Sequence, residues 1–118
     1  MFSDPQNVTV GGASVAVPRV STGDRTSLYE NTTAGIRVRI QHLLGKSRNR
    51  RTFRFDFTKT APDPLVSGIN RDYSMSVITT ADVPPIGFTP AEVEANIKVS
   101  TAWANTAGNL SKVVNGES

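Results

Sequence analysis

From residue 36 to residue 58 the chain alternates apolar and polar side chains with a period of two, and it does so twice. Ile36, Val38 and Ile40 interleave with Arg37, Arg39 and Gln41, and Phe53, Phe55 and Phe57 interleave with Thr52, Arg54, Asp56 and Thr58. Successive side chains of a strand point to opposite faces, so both stretches read as half-buried strands. The polar connection between them, Leu44-Gly45-Lys46-Ser47-Arg48-Asn49, is short enough to make them antiparallel neighbours with coinciding faces. One side of the pair is then aliphatic and aromatic. The other carries Arg37, Arg39 and Gln41 on the first strand and Arg50, Thr52 and Arg54 on the second.

Charge sharpens this reading. The net charge is only +3, but seven of the thirteen Lys and Arg residues lie between Arg37 and Arg54, with no Asp or Glu in that interval. An open face rich in guanidinium groups suits bidentate phosphate contacts, which dominate nucleic-acid affinity. A solvated face made basic for solubility is the alternative, although such faces commonly mix both signs.

The rest of the chain falls around this pair. Val8-Thr9-Val10 and Ala13 to Val17 are alternating runs joined by Gly11-Gly12, a pair that tolerates positive φ at both positions, which predicts a tight hairpin over 7–18. Ser21 to Asp24 reads as a turn, followed by a short strand at Thr26–Asn31. Lys59 to Asn70 contains Pro62, Pro64 and Gly68 and has no period, as an exposed loop would. Tyr73, Met75 and Val77 alternate with Asp72, Ser74 and Ser76 in a further strand. Thr89-Pro90-Ala91-Glu92 combines an N-cap, a first-turn proline and the glutamate of a capping box. On the helix it starts, Glu94, Lys98, Thr101 and Asn105 fall in one narrow polar stripe while Val93, Ile97, Val99, Ala102, Trp103 and Ala104 occupy most of the remainder, so it is apolar over too much of its surface to cover a core from one side only. Leu110, Val113 and Val114 suggest a second short helix beyond Gly108. The expectation is one α+β domain: hairpin 7–18, antiparallel sheet 25–80, and helices 89–114 gathered on one face.

Little here resembles catalytic or metal chemistry. Without cysteine there is no disulfide, thiolate metal site or cysteine nucleophile. Gly45-Lys46-Ser47 resembles the end of a phosphate-binding loop, but that motif needs glycine where Ile40 stands. His42, the only histidine, continues the parity of Ile40 and reads as an edge-of-core residue. Trp103 lies on the mostly apolar helix and reads as a packed anchor rather than a base-stacking platform. The carboxylates form no acid/base pair; Asp56 and Asp72 share the open face as local charge balance would predict. We therefore expect no enzyme, cofactor, bound metal or small-molecule substrate. The start lacks the basic and apolar segments of a secretory signal and no long apolar run occurs, so synthesis in a cytoplasm, without membrane insertion, is expected.

The order of elements resembles the coat proteins of the single-stranded RNA bacteriophages, the levivirus type. The likeness rests on Ile36-Arg37-Val38-Arg39-Ile40-Gln41, Asn49-Arg50-Arg51-Thr52-Phe53-Arg54-Phe55-Asp56-Phe57, Tyr73-Ser74-Met75-Ser76-Val77 and the helix from Thr89, and it spans nearly the whole chain. It implies a homodimer with sheets joined edge to edge and helices reaching onto the partner, many dimers forming an icosahedral capsid assembled in the bacterial host cytoplasm. The loop near residues 59–70 would stand at the symmetry axes. The open face would meet single-stranded genomic RNA inside the virion, and in the family it also grips an RNA hairpin that represses translation. Carried over by residue, RNA binding falls to Arg37, Arg39, Gln41, Arg50, Thr52, Arg54, Ser74 and Ser76. Better-known members place small hydroxyl residues where Arg37 and Arg39 stand, forming a pocket for an unstacked adenine. The alternative expectation is a non-assembling, small RNA-binding regulatory protein, although such modules stack bases on exposed aromatics and the three phenylalanines here face away from the arginines.

Overall fold

The computed structural model describes residues 2–117. A two-stranded hairpin, β1 (Gln6–Val10) and β2 (Ala13–Val17), precedes a five-stranded antiparallel sheet of β3 (Arg19–Gly23), β4 (Thr26–Asn31), β5 (Ile36–Leu44), β6 (Asn49–Pro62) and β7 (Asn70–Val83), in sequential order across the sheet. Two helices follow, α1 (Pro90–Asn105) and α2 (Asn109–Val114). The chain is thus α+β, with an N-terminal hairpin, an antiparallel sheet and two C-terminal helices.

Local chemistry accounts for most of these elements. Gly11 and Gly12 have φ of 58° and 84°, the double positive turn that matches the twist of two strands. At the β4–β5 turn Gly35 has φ 71°, its carbonyl accepts a 2.8 Å bond from the Thr58 amide, and any Cβ there would collide with the Thr58 carbonyl oxygen. Thr89 caps α1 by accepting from the Glu92 amide at 3.3 Å, and Pro90 opens the first turn.

Three boundaries differ from the sequence reading. The stretch Ser21 to Asp24, expected as a turn, belongs mostly to β3, an edge strand that pairs among the described residues with β4 alone; a bulge between Arg19 and Ser21 hides its period. The sheet continues past residue 80 to Val83. The expected loop 59–70 shrinks to 63–69, because Lys59 to Pro62 pair with Asn70 to Tyr73, and Pro62 stands at the strand end where a missing N–H matters least.

Cross-strand register puts Val38 beside Tyr29 and Phe55, and Ile36 beside Phe57, all on one face. The buried core is small: Val17 from the hairpin, Tyr29, Ile36 and Val38, with Phe55 and Phe57 stacked at 6.2 Å alongside. Arg19 ties the hairpin junction down, donating to the Tyr29 hydroxyl at 2.9 Å over the same ring. Helix α1 lies on the apolar side, where Val93 and Ile97 face Val38, Ile40, Phe53 and Phe55 across a concavity of about 590 Å³. No residue of either helix is buried. Trp103, expected as a packed anchor, is 59% exposed, because nothing in a single chain covers its side of α1.

Candidate nucleic-acid interface

The face opposite the phenylalanines is set entirely by strand pairing. Glu30 opposes Arg37, Arg37 opposes Asp56, and Asp56 opposes Ser76; one step along, Leu28, Arg39, Arg54 and Ile78 form a row. Gln41, Thr52 and Thr80 form the next, and Leu43, Arg50 and Asp82 the one after. Arg37, Arg39, Gln41, Arg50, Thr52, Arg54, Ser74 and Ser76 therefore share one side of the sheet, and the helices lie on the other. Arg51, inside the same basic run, points to the apolar side, where its guanidinium meets His42 Nδ1 at 3.2 Å.

Charge on the open face differs from the sequence picture. Within residues 37–54 no acid occurs, yet pairing brings Glu30, Asp56, Asp72 and Asp82 onto the same surface as Arg37, Arg39, Arg50 and Arg54. Arg37 donates to Glu30 at 3.0 Å, and Arg54 donates to Asp56 at 2.8 Å and to the Ser76 hydroxyl at 3.1 Å. Ser76 in turn donates to Asp56. That hydroxyl, ahead of the opposing cost of burial and then the Arg54 and Arg37 charges, holds the Asp56 carboxyl below its usual value. The stabilisation is therefore complete above the ordinary carboxyl range and fades as pH falls through the lowered value.

Arg48, on the connection after β5, donates to the Asp82 carboxylate at 3.0 Å and to its carbonyl at 3.2 Å. Asp82 is thereby occupied, and Arg50 beside it forms no ion pair among the described residues. Arg39 forms none either, since its cross-strand neighbours are Leu28 and Arg54. Four guanidinium groups thus divide into two clamped by carboxylates and two open to an external anion. Hydroxyl groups flank the Arg39–Arg54 row on both sides, Thr52 with Thr80 at 3.2 Å on one and Ser76 with Asp56 on the other.

Residue parity placed Asp56 and Asp72 correctly, but Glu30 and Asp82 lay outside the basic run and were missed. Continuing the alternation of β7 through Thr80 to Asp82 would have found the second; Glu30 required the β4–β5 register. Of the aliphatic residues on this face, Leu43 and Ile78 follow from continuing the alternation of β5 and β7, whereas Leu28 required the β4–β5 register. Among the described residues no group of side chains could hold a metal ion, and no helix is long and apolar enough to cross a membrane.

No protein-family model matches the sequence, and no curated protein matches it. Solved structures do. The chain superposes on a subunit of the virus-like particle of bacteriophage AVE019 with a TM-score of 0.85 over 98% of this chain and 97% of that one, at 12% identity. It matches the virus-like particle of Beihai levi-like virus 21 with a TM-score of 0.74, covering 100% and 98% of the two chains at 10% identity. Against the bacteriophage GA capsid protein the TM-score is 0.61, with 92% and 88% covered at 15% identity. With hairpin, five-stranded sheet and paired C-terminal helices all matched nearly end to end, the chain has the fold of the levivirus-type RNA phage coat proteins.

Proposed function

We propose that this protein is the coat subunit of a small RNA phage, a homodimer that assembles into the capsid and holds single-stranded genomic RNA against its open sheet face. The observation that carries the proposal is unburied surface. A compact chain of this mass exposes about 6,200 Å² and one of this length has a radius of gyration of about 13.5 Å; this chain exposes 8927 Å² and has a radius of 17.3 Å. The excess of about 2,700 Å² per chain, about 5,400 Å² for a pair, lies at the upper end of obligate interfaces, which are also the apolar ones. It is where such an interface needs it: α1 with Val99 and Trp103, and the apolar side of β7 with Met75 and Val77. A non-assembling regulator would leave all of this in water, so the coat reading is preferred. The fold likeness supports a structural rather than an enzymatic role, in the virion.

RNA would be met by Arg37, Arg39, Gln41, Arg50, Thr52, Arg54, Ser74 and Ser76, with Arg39 and Arg50 supplying the phosphate contacts. Arg37 and Arg39 stand where better-known members of the resembled family carry small hydroxyl residues for an adenine pocket, so the function proposed is general RNA retention rather than recognition of one hairpin. The loop 63–69, with Leu65 92% exposed, would touch neighbouring dimers. Expression of the protein alone, followed by electron microscopy and the absorbance ratio at 260 and 280 nm, tests this. Closed particles containing RNA are expected; a soluble folded monomer would overturn the proposal.

A further inference from the structure

The open face carries its own competitors for phosphate. Asp56 on β6 stands opposite Arg37 of β5 and Ser76 of β7, and two places along its own strand from Arg54, so all four side chains share one side of the sheet. Its Oδ1 accepts from Arg54 Nε at 2.8 Å and from the Ser76 hydroxyl, while Arg54 Nη2 donates to Ser76 Oγ at 3.1 Å. Glu30, on the next strand across, holds Arg37 at 3.0 Å. In both pairs the guanidinium is the more exposed partner, 40% against 20% for Arg54 and Asp56. Each arginine is therefore within reach of an incoming anion but already satisfied by a carboxylate of its own chain.

A third carboxylate on the face is arranged differently. Asp72 accepts from the Thr60 hydroxyl at 2.6 Å and forms no ion pair among the described residues. It adds negative charge without occupying a guanidinium.

We propose that Glu30 and Asp56 are built-in brakes on RNA binding: each occupies one guanidinium that would otherwise take a phosphate, and so holds down the affinity of a single subunit. The proposal rests on the RNA-retaining face proposed above and adds how its strength is set. An exposed ion pair shifts an equilibrium by up to about fivefold, so each brake weakens one subunit only modestly. In a shell the contacts multiply, because many subunits hold the same RNA as linked sites. A small loss at each site keeps single contacts exchangeable while the whole RNA stays held.

Binding of a fluorescent oligouridylate by the protein, kept below the concentration at which particles form, tests this by anisotropy across a salt series. Asp56→Asn and Glu30→Gln are each expected to tighten binding by about two- to fivefold near 0.1 M salt, and to steepen the log–log slope by up to about 0.7, the contribution of one further phosphate. Asp72→Asn removes the same charge from the same face and should leave the slope unchanged. The pair Arg54→Gln/Asp56→Asn, which removes brake and guanidinium together, should return the slope to that of the unaltered protein. If circular dichroism shows Asp56→Asn to be unfolded, Glu30→Gln decides alone. The brakes are overturned if the folded acid variants bind with an unchanged slope, or if Asp72→Asn steepens it as much, since net charge rather than a released arginine would then set the affinity. Binding that weakens with Arg39→Ala and Arg50→Ala but ignores both acid variants removes the brakes and keeps the RNA face; no binding by the unaltered protein or any variant removes the face itself.

Discussion

Four arginines that look equivalent in the sequence have different work available to them. Arg37 and Arg54 already neutralise Glu30 and Asp56, so phosphate binding there must first displace a carboxylate. Arg39 and Arg50 have no such competitor among the described residues. Phosphate contacts make affinity salt-dependent, and each one lost from a single strand lowers the log–log slope by about 0.7. Arg39→Ala and Arg50→Ala should each reduce the slope by about that amount in filter binding to single-stranded RNA across a salt series. The charge-neutral pair Glu30→Ala/Arg37→Ala should leave it unchanged; an equal loss there would refute the division. Residue parity was legible from the period of two. Which arginines remain free was not, since Glu30 and Asp82 reach the face only through strands paired to β5 and β6.

Among the elements, the loop 63–69 is fastened at one point. Asp63, with its side chain only 6% exposed, holds Arg71 at 2.7 Å and accepts the Leu65 amide at 2.8 Å, while its own amide donates to the Ile69 carbonyl at 2.8 Å. Losing one bond to a buried charged group costs about 1.5–3 kcal/mol, more than a tenfold change in a local opening equilibrium. Asp63→Ala should therefore speed hydrogen exchange at Leu65 by at least about tenfold with little change at Phe55, and should leave the tip less uniform in reconstructed particles. Equal acceleration at both amides would mean that the whole sheet had loosened instead. The prolines identified this segment as a loop, but its true length depended on Lys59 to Pro62 finding partners on β7, a pairing that no local pattern encodes.

At the scale of the whole molecule, the sheet's apolar side and α1 are incompletely covered, with a core of four buried hydrophobic residues among the described ones. A chain so arranged gains most of its burial from association, and stability coupled to association depends on concentration. In urea, loss of the helical signal and of the dimer should coincide, with a midpoint that rises as protein concentration is raised. A concentration-independent midpoint for a folded monomer would contradict this.

The sequence by itself determined the hairpin, the two-faced central strands, the helix start at Thr89 and the class of fold, because these follow from side-chain period, turn chemistry and capping within a few residues. Only the tertiary structure decided the charge balance of the open face, the free edge at β7 and the amount of surface left uncovered. Those depend on which distant strands become neighbours, and the register of a sheet is fixed by the pairing of whole strands rather than by any one of them.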